Sequence, residues 1–229
     1  MMLLSVDTSM RMGGVALGGD EGLLWEVTFR IAESYSQSLM MVIDQMMKGV
    51  GAERDEISGF AVALGPGSFT SLRIGLATVK GLAYSLRRPV AGIPTLDSLA
   101  LSLPYSPYLI CPIIDARRGE VYTCLYRFNP ALEEMEALTP YQVLPPDRLA
   151  QKLEGEVIFT GDGVDRYGAL LKEIMGKRAH FAPLACRAPR ASNLIPIALR
   201  RLKEGKEDDL SRLAPLYIRR PQAQAVVDN

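Results

Sequence analysis

The sequence predicts a two-lobed α/β protein, and three observations predict it. Residues 3–31 fall into three short strand patterns separated by glycine-containing turns. From residue 36 onward, helical periods alternate with short apolar runs that end in glycine, the signature of a parallel sheet covered by helices. A Pro- and Ser-rich stretch, Ser102–Pro107, then separates that block from a second one that echoes it. A chain of 229 residues is long enough for two small lobes, since single cores commonly divide near ~100–200 residues.

The elements follow in order. Residues 3–7 (LLSVD), 13–18 (GGVALG) and 22–31 (GLLWEVTFRI) read as an antiparallel meander. Residues 36–50 change period: Leu39, Val42, Ile43, Met46 and Val50 share one helical face, with Ser34 and Ser36 as N-cap candidates. Residues 59–64 (GFAVAL) form a nearly continuous apolar strand that stops at Gly65-Pro66-Gly67. Ser68 can cap a helix whose face is Leu72, Gly75, Leu76, Val79, Leu82, Ala83 and Leu86, and Arg88-Pro89 ends it. Val90–Ile93 is a further strand, followed by a helical start near Thr95–Leu101. Beyond the linker, Tyr108–Asp115 and Glu120–Phe128 read as a hairpin about Arg117-Arg118-Gly119. Glu156–Thr160 is another buried strand, ended by Gly161-Asp162-Gly163. A helix over Ala191–Lys203, opened by Ser192, leads to Pro215-Leu216-Tyr217-Ile218. The expected domains are 1–103, 104–220 with the 191–204 helix able to return to the first lobe, and a loose tail at 221–229. Three antiparallel strands followed by alternating helix and strand, done twice, is the ribonuclease-H-like lobe pair of the actin-like ATPase (ASKHA) superfamily.

Composition narrows the function classes. Twenty-six Lys+Arg balance 26 Asp+Glu, so the chain as a whole presents no strong field to a nucleic acid or an anionic membrane. Charge is graded, however: residues 177–229 carry 11 basic and 5 acidic side chains. That segment is either a solvated surface or a place for a polyanion within an assembly. Three cysteines, Cys111, Cys124 and Cys186, none in CxxC spacing, suggest neither a disulfide framework nor a zinc ribbon, and a reducing cytoplasm is the expected location. The N-terminus lacks the pattern of a signal peptide, and no apolar run approaches the ~20 residues that span a bilayer.

Candidate chemistry is sparse. Gly65-Pro66-Gly67-Ser68 lies between a strand and a helix, where backbone N–H groups favour an anion, though a turn needing glycine for backbone reasons reads the same. Asp7, followed by Thr8 and Ser9, stands where actin-like folds face nucleotide phosphates and metal; Asp at a strand end is also a common turn former. The chain has a single histidine, His180, so HExxH, HxxxH and HxH sets are excluded, and no GxSxG nucleophile motif occurs. Met40 and Met47 widen the apolar stripe of the first helix beyond Leu39, Ile43 and Met46, so Leu39, Met40, Ile43 and Met47 are expected in a partner interface together with the second helix. On the second helix, Ile74, Thr78, Gly81 and Ser85 form an uncharged side that either meets a partner helix or is buried within the monomer.

VDTSMRMGGVAL, YSQSLMMVIDQMM, and above all FAVALGPGSFTSLRIGLATVKGLAYSLRRPVAGIPTLDSLA resemble the bacterial TsaB (YeaZ) family, and PLYIRRPQA resembles its usual close. The resemblance is dense over the first hundred residues and loose over the rest. It implies a glycoprotease-like member of the superfamily without its own catalysis. Such a protein serves as partner and scaffold of the related TsaD in forming threonylcarbamoyladenosine next to the anticodon of ANN-decoding tRNAs. In the catalytic paralogue the segment like Ile93–Leu99 bears two metal-binding histidines, and Thr95 and Leu99 occupy those places here. Neither replaces imidazole on a transition metal. Many relatives have His where this chain has Tyr35 and Gly where it has Ser71.

The resemblance therefore implies no catalytic residue and no metal. Asp7, Thr8, Ser9, Gly65, Gly67 and Ser68 remain as a vestigial phosphate site, with ATP or ADP bound at most weakly or at the partner interface. Expected partners are a TsaD-like paralogue, a TsaE-like ATPase on the heterodimer, a second copy through the same helices, and tRNA only within the complex. No membrane is expected. The rival reading is an autonomous enzyme of the same fold, either a small-molecule kinase or a metallopeptidase.

Overall fold

The structure, a computed structural model, describes residues 1–30 and 35–219. β1 (Met2–Asp7), β2 (Met12–Gly19) and β3 (Gly22–Arg30) make the antiparallel meander. α1 (Tyr35–Val50) follows, then β4 (Gly59–Gly65), α2 (Phe69–Leu86), β5 (Val90–Pro94) and α3 (Thr95–Ala100). β4 pairs parallel to both β1 and β5, so the first sheet runs β3-β2-β1-β4-β5. The Ser34 N-cap candidate and the 221–229 tail lie outside the described residues, as does the Ser36 side chain.

Alternation along β4 explains the layers. Phe60 and Val62 join Leu4 and Val6 against α1 and α2, whereas Ala61 and Ala63 face the opposite side. Their small side chains admit α6 (Leu194–Lys203), which returns from the far end of the chain to pack on β1, β4 and β5 through Leu194 and Ala198. Each fully buried leucine or isoleucine contributes about 1.5–3 kcal/mol.

The second sheet repeats the first. β6 (Leu109–Asp115) pairs antiparallel with β7 (Val121–Thr123) and parallel with β11 (Val157–Thr160), which pairs parallel with β12 (Ala179–Phe181). With β10 (Gln142–Leu144) outside β7, the order β10-β7-β6-β11-β12 matches that of the first sheet position by position. β8 (Tyr126–Asn129) and β9 (Glu134–Ala137) form a hairpin off this path. α4 (Pro146–Lys152) and α5 (Gly163–Met175) cover one face through Leu149, Val164, Tyr167, Leu171 and Met175.

α3 joins the two sheets. Leu96, Leu99 and Ala100 pack with Ile110, Ile114 and Tyr126 in one buried cluster, and the Tyr126 and Tyr141 hydroxyls donate to Asp97 Oδ1 at 2.6 and 2.8 Å. Burial pushes the Asp97 carboxyl above the usual range, against the two tyrosine donors.

Three local expectations are corrected. The segment 120–128 is not one strand: it breaks at Cys124-Leu125, because Tyr126 turns to pair with Ile110 on β6 while Thr139 takes the Leu125 N–H. Ser192 does not cap α6. A 3₁₀ turn at Ala191–Asn193 precedes the helix, and the Ser192 N–H and hydroxyl both go to Glu26 Oε1, at 3.0 and 2.7 Å. Ser68 occupies the N-cap position of α2, but its hydroxyl lies 2.9 Å from the Ser71 hydroxyl and caps no backbone N–H.

Glu26 thus ties β3 to the start of α6, its Oε2 also accepting the Arg190 guanidinium. Burial opposes its charge, yet the Arg190 and Ser192 donors hold its carboxyl below the ordinary glutamate value. A depressed folded-state pKa adds stability above the unfolded value that is lost as pH falls through the folded one. Glu26→Ala is expected to lower stability by about 2 kcal/mol at pH 7 in urea unfolding. The gap from wild type should close below about pH 4.

Candidate functional site

The carboxyl ends of β1, β4, β6 and β11 meet at a cleft of about 490 Å³, the position where open α/β sheets receive ligands. Ser9, Gly67 and Ser68 line it from one sheet, and Asp115, Arg117 and Asp162 from the other.

Asp7 lies fully buried behind this wall. Its Oδ1 accepts the Ser9 N–H at 2.9 Å and the Ser9 hydroxyl at 2.6 Å, while Oδ2 has no partner. Burial raises its pKa, and the two Ser9 bonds offset only part of that. Thr8 turns away from the cleft and donates to the Ser71 carbonyl at 2.7 Å. The Ser9 carbonyl accepts the Ser68 N–H at 2.7 Å. A Cβ on Gly67 would fall on that same carbonyl, and one on Gly75 would fall on the Thr8 hydroxyl. Gly65, at φ +101, takes a conformation open chiefly to glycine, and its peptide to Pro66 is cis. The glycines are therefore required by close backbone approach, and the Ser68 N–H expected to meet an anion is spent on Ser9.

On the opposite wall, Asp115 Oδ2 accepts Arg166 at 2.9 Å, and Arg117 lies 3.5 Å away. Asp162 Oδ1 accepts the Asp115 N–H at 3.0 Å, and burial pushes the Asp162 carboxyl up. Sequence reasoning did not single out these residues. A signal was present: Asp115 ends LICPIID as Asp7 ends LLSVD, and Gly161-Asp162-Gly163 ends its strand as Gly65-Pro66-Gly67 does.

Histidine contributes nothing to the cleft. His180 stacks on Tyr108 at 3.9 Å and meets Glu156 at 3.1 Å, both just before the strands β6 and β11 and hence at the opposite end of the sheet. Cys111 is buried, its thiol pushed up to about 12 by burial. Thr95 and Leu99 are fully buried in α3, Leu99 among the residues that join the sheets. Among the described residues, no three His, Cys, Asp or Glu side chains gather as a metal set.

The surface candidates divide. Leu39, Ile43 and Met47 are buried in the protein's own core, so they cannot meet a partner; this corrects the sequence reading, in which a stripe wider than one core needed was assigned to an interface. Met40 is exposed, with Met41 beside it at 60% exposure. On α2, Ile74 and Thr78 are half-buried, while Gly81 and Ser85 are exposed and a Cβ on Gly81 would touch nothing. Tyr84, 80% exposed, belongs to this face and was missed, although it stands three residues beyond Gly81.

Residues 29–226 match a family model described as TsaD: tRNA N6-adenosine threonylcarbamoyltransferase. The chain is 31% identical to the tRNA threonylcarbamoyladenosine biosynthesis protein TsaB of Bacillus subtilis over 98% of its own length and 97% of that protein. The chain belongs to the TsaB family. YeaZ from Pseudomonas aeruginosa superposes with a TM-score of 0.79 at 29% identity, covering 94% of this chain and 99% of the other. The ROK hexokinase of Thermus thermophilus, at 12% identity and a TM-score of 0.52 over 89% of this chain and 100% of that one, shares the fold alone. The two-sheet architecture is thus one that this hexokinase also has.

Asp7 has a testable consequence. A raised folded-state pKa gives stability that is present at low pH and lost as pH rises through that pKa. Asp7→Asn keeps the Oδ1 acceptor for Ser9 and removes the buried charge. It is expected to raise the thermal midpoint at pH 7 by several degrees, as ~1 kcal/mol does in a domain of this size, with a smaller gain at pH 4.

Proposed function

We propose that this chain is a non-catalytic subunit in the threonylcarbamoyl modification of tRNA adenosine, acting as partner and scaffold of a TsaD-like paralogue. The observation that carries the pathway is the end-to-end similarity to TsaB of Bacillus subtilis. The non-catalytic role rests on α3, where Thr95 and Leu99 take the places of the paralogue's two histidines and are turned into packing. A Leu in the core that joins the sheets does structural work no metal ligand could do there.

The cleft supports the same reading. Thr8 spends its hydroxyl on the Ser71 carbonyl, Ser9 its N–H and hydroxyl on Asp7, and Ser68 its N–H on the Ser9 carbonyl, while Asp115 and Asp162 place carboxyl groups where phosphate would need donors. ATP or ADP is therefore expected to bind weakly or only with help from a partner. The exposed side of α1 and α2, with Met40, Met41, Gly81, Tyr84 and Ser85, offers apolar and small residues for close helix packing. This face is assigned to the paralogue, and a second copy of this chain would compete for it. A TsaE-like ATPase joins the heterodimer, and tRNA is held tightly only there. No helix among the described residues is long and apolar enough to cross a membrane, in keeping with a cytoplasmic assembly.

The test is tRNA modification by the paralogue with and without this chain: the product should depend on the chain, and the chain alone should make none. Gly81→Arg separates binding from folding. Arginine in an exposed helix is intrinsically better than glycine, so the circular dichroism spectrum and melting should hold. A charge forced into the seam costs about 3–5 kcal/mol if unpaired, enough to take a ~1 μM contact into the millimolar range in sedimentation experiments.

A further inference from the structure

Beside the cleft, beyond the first turn of α2, lies a second groove of about 310 Å³ that none of the roles above uses. Its floor is apolar, with Leu72 and Leu216 among the lining residues. Phe69 and Tyr217 stand at its edge as an aromatic pair, centroids 5.7 Å apart, 48% and 39% exposed. The Arg73 guanidinium lies 3.7 Å over the Phe69 ring and donates to the Tyr217 hydroxyl at 3.4 Å. Exposed aromatics held in place by a cation are pre-ordered for stacking.

The facing rim is the β6–β7 turn. Arg117 and Arg118 both take left-handed backbone, φ 62 and 54, a region that ordinary side chains enter at a cost. The turn is pinned by the Arg117 N–H to Asp115 Oδ1 at 2.9 Å and by Glu120 N–H to the Arg117 carbonyl at 3.1 Å. Both side chains are exposed and line the groove; Arg117 is shared with Asp115 Oδ2 at 3.5 Å, and Arg219, which also lines it, is paired with Glu120. Arg118 has no hydrogen bond or ion pair to any described residue, and no carboxylate lines the groove.

We propose that this groove receives a nucleotide of single-stranded RNA, its base stacked on the Phe69–Tyr217 platform and its phosphates on Arg117 and Arg118. Base stacking needs an unstacked base, which a duplex does not present, and two arginines on one rim beside a ring pair suit a nucleotide with its backbone charge better than an isolated anion. An acidic peptide would use the arginines and leave the ring pair without a role. The proposal deepens the tRNA reading above and rests on it, since an anticodon loop is single-stranded.

The probe is a fluorescein-labelled oligouridine decamer, titrated with the full chain and followed by anisotropy at 50 and 200 mM salt. Wild type is expected to bind with a Kd of roughly 10–100 μM at the lower salt. Arg118→Ala should weaken binding about tenfold at 50 mM salt and reduce the salt slope by roughly 0.7, the share of one single-strand phosphate. Tyr217→Ala should weaken it about tenfold with the slope unchanged, as loss of stacking requires. Arg212→Ala, outside the groove lining and paired with Asp209, should change nothing. Equal affinity of the Arg118 and Tyr217 variants and wild type overturns the proposal. So does tighter binding of a duplex of the same length, or of an oligoglutamate decamer, or saturation by AMP at micromolar concentration without binding of the oligonucleotide. The two readings fail separately. If modification requires the chain yet the groove variants bind RNA normally, the groove is misassigned; if they lose RNA while modification never needed the chain, the scaffold role is.

Discussion

The seating of α2 on the turn after β1 governs everything else in the molecule. Gly67 and Gly75 let the helix and its leading loop lie against Ser9 and Thr8 with no room for a Cβ, and the Ser68 N–H and Thr8 hydroxyl bond across the contact. That approach closes one wall of the cleft and uses the donors a phosphate would have needed. It also fixes where α2 points its other side: Gly81, Tyr84 and Ser85 face outward, and Phe69 is presented beside Tyr217. One steric constraint thus shapes both a wall of the cleft and two outward-facing surfaces.

α3 is given over to packing. Thr95 and Leu99 are both fully buried, and the leucine belongs to the cluster that joins the sheets. Asp97, between them in sequence, is kept buried by two tyrosine hydroxyls from the second half of the chain. Leu99 and Asp97 together hold the two sheets about a fixed cleft. Among the described residues, three buried side-chain atoms remain without partners, Asp7 Oδ2, Thr95 Oγ1 and Ser98 Oγ, at the cleft's back wall and on α3. Unsatisfied polar groups cost stability, and here they gather where the two sheets meet rather than through the cores.

Much of the first sheet was legible because β1, β2, β4 and β5 are buried on both faces and β2 and β4 end in glycine, so composition and period agree. GFAVAL and the Gly65-Pro66-Gly67 turn fall where the pattern puts them. The second sheet was less legible. β9, β10, α4 and β12 are three to seven residues long and owe their form to neighbours rather than to local pattern. α5 is different: Val164, Tyr167, Leu171 and Met175 keep a helical period that a closer reading would have found. At the surface, periodicity marked the apolar side of α1 but could not say how much the monomer would bury, so Leu39, Ile43 and Met47 were taken for interface. The groove was invisible in one dimension, since Phe69, Arg118 and Tyr217 lie far apart in the chain and meet only in the fold.

The central claim is that this chain works through its surfaces and not through the residues of its cleft. The direct measurement is the rate of threonylcarbamoyl transfer to tRNA by the TsaD-like paralogue paired with a chain carrying both Asp7→Asn and Asp162→Asn. These changes neutralise the cleft's buried carboxyls while leaving the α1–α2 face untouched. A rate within about twofold of wild type is predicted. A fall of about 100-fold or more, the size expected when a general acid or base is removed, would contradict the account.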